Sequence, residues 1–139
     1  MKWLQKIFPE SQAATPLRGR PATRREKSYS AQTGYVYQYF YEGFQETHVG
    51  DDAGQVYFFS VSSDRVSHFP IRIFLNRKTA SEWQATRQRE LNATEQYALV
   101  KMALFAMFDR QLDLADEMNP TAITYQEIDQ YAETLALVQ

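Results

Sequence analysis

Apolar and polar residues change period near residue 34, and the change divides the chain. From Gly34 to Glu46 the residues alternate as in a strand. Tyr35, Tyr37, Tyr39 and Tyr41 take one face, and Val36, Gln38, Phe40 and Glu42 the other. His48 to Gly54 supplies turn residues, and Gln55 to Ser62 reads as a second strand rich in aromatics and valine. A third strand is expected over about 67–75, with Phe69, Ile71, Ile73 and Leu75 on one face. Pro70 cannot donate to a ladder, so this strand belongs at an edge or starts after the proline.

Helical periodicity follows. Thr79 with Glu82, Asn92 with Glu95, and Thr124 with Glu127 each pair a capping side chain with a glutamate three residues on. These boxes predict helices near 80–89, 93–110 and 125–138. The run Met102 to Phe108 is apolar on every side, which predicts that the central helix is buried all round. The third helix carries Ile128, Tyr131, Ala132, Leu135 and Val138 on one stripe. Three strands followed by three helices predict an α+β fold, a three-stranded antiparallel sheet covered by helices mainly on one face. In that arrangement Val36 and Phe40 are expected in the core and the tyrosines on a half-exposed face.

Residues 1–33 show neither period throughout. Trp3, Leu4, Ile7 and Phe8 fall at helical spacing, but so short a helix is unstable alone in water. Residues 9–33 hold Pro9, Pro16, Gly19 and Pro21 and almost nothing large and apolar, the composition of a flexible arm. The chain therefore divides into an arm, 1–33, and one α+β domain, 34–139. A length of 139 residues suits a single domain.

Charge sharpens the division. The arm carries seven basic residues against two acidic ones, and the rest eight against fifteen. Arg18, Arg20, Arg24, Arg25 and Lys27 form its basic part. Such an arm can fold onto its own acidic body or reach an acidic partner. There is no cysteine, which excludes disulfides and thiolate chemistry and fits a cytoplasmic setting. No stretch reaches the roughly 18–20 apolar residues of a membrane span, so no transmembrane segment is expected.

Candidate chemistry is sparse. His48 beside Asp51 and Asp52 matches no ligand spacing and reads as a solvated hairpin loop. His68 precedes Phe69-Pro70 at a strand start and reads as structural. Asp113, Asp116 and Glu117 lack the glycine and ligand order of a calcium loop. No phosphate loop or nucleophile elbow is present. The expectation is a protein without catalytic residues, metal or cofactor. Nine tyrosines, nine phenylalanines and two tryptophans favour contact surfaces instead. Tyr35, Tyr37, Tyr39 and Tyr41 are a candidate aromatic contact face, although single-strand binders set such a face in a basic surround, and this body is acidic.

The leading expectation is an accessory subunit that docks on a larger protein assembly, with Trp3, Leu4, Ile7 and Phe8 as its contact residues. The alternatives are a nucleic-acid-binding accessory protein using the arm's arginines and, third, a small enzyme. Self-association into a homo-oligomer is compatible with the aromatic content.

Overall fold

The computed structural model describes residues 17–110, 114 and 120–138. It is an α+β fold whose sheet has five strands, not the expected three. In chain order the elements are β1 (Lys27–Ser30), β2 (Val36–Val49), β3 (Asp52–Ser62), β4 (Phe69–Asn76), α1 (Arg77–Arg87), α2 (Ala93–Arg110), β5 (Thr121–Ala122) and α3 (Tyr125–Thr134). The strands lie in that same order across the sheet. β1 to β4 are antiparallel, and β5 joins β4 in parallel at Ile73 and Phe74. β5 leaves Pro70 uncovered, so the proline costs no ladder bond on that side.

The two extra strands escaped the hydrophobic pattern for a simple reason. β1 is Lys-Ser-Tyr-Ser and β5 is Thr-Ala, both too short and too polar to show alternation. The β2–β3 hairpin is also tighter than its turn-rich sequence suggested. Val49 pairs with Asp52 across only two residues. Gly50 supplies the positive φ that the first central position of a II′ turn requires.

The strand–helix junction moves one cap. β4 runs to Asn76, whose side chain accepts hydrogen bonds from the Lys78 and Thr79 backbone N–H groups at 2.8 and 3.3 Å. Asn76 therefore caps α1, and Thr79 lies inside its first turn. The other two boxes form as expected, Asn92 with Glu95 and Thr124 with Glu127. α3 stops at Thr134 instead of 138 because Ala136 turns left-handed, and Leu137 N–H closes on Ala132 C=O at 2.8 Å.

The three helices cover one face of the sheet. That face is made of Tyr37, Tyr39, Tyr57, Phe59, Val61, Ile71, Ile73 and Leu75. Trp83 of α1, Leu99, Leu104, Met107 and Phe108 of α2, and Ile128 of α3 fill the space above it. The register decides which way β2 faces: Tyr39 pairs with Val61, and Tyr41 with Phe59, which pairs with Ile71. The tyrosines thus share a face with the aliphatic side of β4. The expected assignment of faces in β2 is reversed, and Val36 is 44% exposed. α2 is buried on most of its circumference, with Met102, Phe105 and Ala106 half-covered.

Candidate functional site

The described chain enters along the free edge of β2. Arg18 and Phe44 exchange two backbone hydrogen bonds of 2.7 and 2.8 Å. Further along, Lys27 to Ser30 pair with Tyr39 to Val36 as β1. Between Tyr41 and Gly43 the β2–β3 ladder shifts register, a bulge that bends the strand at this point. Gly43 sits at φ +112°, and a Cβ there would lie 2.7 Å from the Arg18 carbonyl oxygen. Glycine is therefore required for the arm to approach.

Three arginines of the arm are consumed by the body. Arg18 pairs with Glu46 at 3.1 Å and Arg20 with Glu42 at 3.6 Å. Arg24 forms a forked pair with Glu42, 2.6 Å at its shortest, and its guanidinium covers the Phe40 ring at 3.8 Å. The hydrogen bonds from Arg24 hold the Glu42 carboxyl below the ordinary range, with Arg20 adding to the effect and partial burial opposing it. No ion pair joins Arg25 or Lys27 to an acidic side chain among the described residues.

The pairing also explains a cavity. Between its two anchors the arm spends the nine residues after Arg18 to reach Lys27, whereas β2 needs five to go from Tyr39 to Phe44. The surplus arches away from the sheet. Beneath it lies a space of about 400 Å³ lined by Pro21, Ala22, Thr23, Arg25, Lys27, Tyr39, Tyr41 and Tyr97. Tyr41 and Tyr97 touch, with ring centroids 4.6 Å apart, and both also line a neighbouring cavity of about 300 Å³ that reaches Phe44 and Tyr57. The Lys101 ammonium stands 5.6 Å from the Tyr39 ring centroid and 5.8 Å from that of Tyr97. Burial lowers the Lys101 pKa and pushes the Tyr97 hydroxyl up to about 12. The Tyr41 hydroxyl is raised further, mainly by burial and then by Tyr57 and Tyr97. These phenols stay neutral and able to donate at physiological pH.

The residues singled out from the sequence scatter. Trp3, Leu4, Ile7, Phe8, Asp113, Asp116 and Glu117 lie outside the described residues. Tyr35 is 45% exposed, whereas Tyr37 and Tyr39 are buried under α2. In this fold those two cannot serve as an open stacking platform. His48 and His68 are exposed, and no cluster of three or more potential metal ligands occurs among the described residues. Tyr97, Lys101 and Asp109 were not anticipated. Asp109 closes the arm's far end by accepting from the Tyr29 hydroxyl at 2.8 Å and the Gln32 N–H at 3.0 Å. The available signal was Lys101, a lone cation in the apolar centre of α2, four residues after Tyr97.

The seam makes a direct prediction. Gly43→Ala should strain the bulge by about 1–3 kcal/mol and push Arg18 off Phe44. Limited trypsin digestion should then cut at Arg18 and Arg24 several-fold faster than in the parent protein, with the body intact. Equal rates would mean that the seam does not hold the arm.

No protein-family model matches the chain, and neither a curated protein nor a solved structure shows significant similarity to it. No helix among the described residues is long and apolar enough to cross a membrane.

Proposed function

We propose that the protein is a non-catalytic accessory subunit that docks on a protein partner through Trp3, Leu4, Ile7 and Phe8. The observation that supports this reading is the internal pairing of Arg18, Arg20 and Arg24 with Glu42 and Glu46. Those arginines are three of the charges a nucleic-acid-binding arm would use, and two carboxylates of the body already pair with them. The arm's sequence also carries four large apolar side chains, which have no use on phosphate and suit a desolvated protein pocket.

The two classes of partner differ in salt dependence and in the variants that matter. With Arg18, Arg20 and Arg24 held on the body, the arm keeps Lys2, Lys6, Arg25 and Lys27 for phosphate, and nucleic-acid binding should show a log-affinity against log-salt slope of about −2.8 on single strands and about −3.6 on duplex. Partner capture by the full chain should survive nuclease and the double change Arg25→Ala, Lys27→Ala. It should fall with Trp3→Ala or Phe8→Ala by about 2 kcal/mol or more, the usual loss for a central anchor. A slope of about −4.9 on single strands, the value for all seven arm cations on phosphates, indifferent to Trp3 and Phe8, would reinstate the nucleic-acid reading.

A further inference from the structure

The described lining of the cavity under the arm lies outside the proposed docking set and has a chemistry of its own. Three features coincide there. Its volume of about 400 Å³ lies in the range of small-molecule sites. Tyr41 and Tyr97 offer half-buried ring surface and hydroxyls. Arg25 and Lys27 line it, Lys101 stands beside it, and no carboxylate is in its wall.

We propose that this cavity binds a small molecule that joins a planar aromatic ring to an anionic group, a carboxylate or a phosphate. The ring lies against Tyr97 and Tyr41, and the anion meets Lys27 and Arg25 at the mouth. Charge selects the ligand's sign. Arg18, Arg20 and Arg24 are paired with Glu46 and Glu42, while Arg25 and Lys27 line the cavity, whose described wall has no carboxylate. An anion there gains charge-assisted hydrogen bonds without displacing an existing ion pair. The tyrosine hydroxyls reinforce the choice, because burial keeps Tyr97 protonated up to about 12, so that it donates to an anion and does not repel it. A cationic ligand would have to compete with Lys101, which already occupies the electron-rich side of Tyr39 and Tyr97.

The arch supplies one wall of the site. Besides its backbone anchors at Arg18 and Lys27 it is tied to Glu42 by Arg20 and Arg24, and Pro21, Ala22, Thr23 and Arg25 of the arch line the cavity. Ligand binding should therefore tighten the arm on the body.

The test uses the full-length chain and two probes, 2-naphthoate for a ring with a carboxylate and AMP for a ring with a phosphate. Backbone amide shifts are followed during titration. At least one probe should give saturable shifts, centred on 21–27, 39–41 and 97–101. The matched neutral compounds, 2-naphthamide and adenosine, should bind about tenfold more weakly or worse, a difference of about 1.4 kcal/mol. Inorganic phosphate alone should not saturate the site at the same concentrations. The double variant Arg25→Ala, Lys27→Ala should lose at least about tenfold in affinity with an otherwise parental spectrum, and bound probe should slow trypsin cleavage of the parent chain at Arg25. No saturable shift with either probe overturns the proposal. So do shifts that map elsewhere, or neutral analogues that bind as well as the anions. Loss of Trp3 and Phe8 should leave the titration unchanged, so failure here is separable from failure of the docking reading.

Discussion

Phe108→Ala should remove about 3–5 kcal/mol of stability, the usual cost of emptying an enclosed phenylalanine site. Phe108 is fully buried and stacks on Tyr37, with centroids 4.3 Å apart and an angle of 8°. Tyr29, Tyr39 and Phe105 surround it at 5.7, 6.2 and 6.4 Å. Collapse around the gap is difficult, because Tyr37 and Tyr39 are fixed by the β2 ladder and Tyr29 by β1 and Asp109. Against a total of about 5–15 kcal/mol the loss is large. It should appear as a lower urea midpoint with an unchanged slope. Phe105→Ala should cost clearly less, since Phe105 is half-buried and its main partner is Tyr29, stacked at 4.3 Å. Phe108→Ala also removes the support under Tyr29, so β1 should exchange its amides faster. A loss under about 1 kcal/mol would mean that α2 does not hold the sheet as described.

The tyrosine stripe shows where pattern reading reached its limit. Alternation located β2 correctly, and the order of the three long strands and three helices followed from periodicity. Alternation alone does not say which face is inside. In β2 one face offered four tyrosines and the other Val36, Gln38, Phe40 and Glu42. Tyrosine's hydroxyl made it plausible on the wetter side. Pairing with Val61 and Phe59, on the same face as Ile71, placed it inside instead. That information resides in β3 and β4, not in β2.

Local chemistry read well where the competing signal was absent. Asn92 and Thr124 cap as expected because nothing upstream offers a better start. Thr79 lost to Asn76 because β4 continues to the helix without a loop, and a capping residue stood at the end of the strand. The cavity could not be read at all. It exists because two anchors on the arm are unequally spaced against their partners on β2, a property of register and bulge. Its cations were visible as arm charge, but only the fold separates the three that are paired from the two that are not.

Trp83→Ala should likewise cost about 3–5 kcal/mol, for a different reason. Trp83 is completely buried in α1, and its indole N–H donates to Asp129 Oδ1 of α3 at 2.9 Å. The same oxygen lies 2.9 Å from Arg87 Nε in an ion pair that lacks hydrogen-bond geometry, and Arg87 also reaches Glu133 at 3.5 Å. One aromatic side chain thus fills the space between sheet and helices and links α1 to α3. The substitutions separate packing from hydrogen bonding. Trp83→Phe keeps most of the apolar contact and removes the donor, and Asp129, whose side chain is partly exposed, keeps its ion pair with Arg87 and can turn to water. Its cost should be about 1–2 kcal/mol. Asp129→Ala leaves the ring in place but strands its N–H, and should cost about 1–3 kcal/mol. Urea denaturation of the three variants should therefore rank Trp83→Ala as the most destabilised, with Asp129→Ala and Trp83→Phe behind it. If Trp83→Phe were as damaging as Trp83→Ala, the hydrogen bond and not the filled volume would join the helices. The loss in Asp129→Ala would then have to match them both.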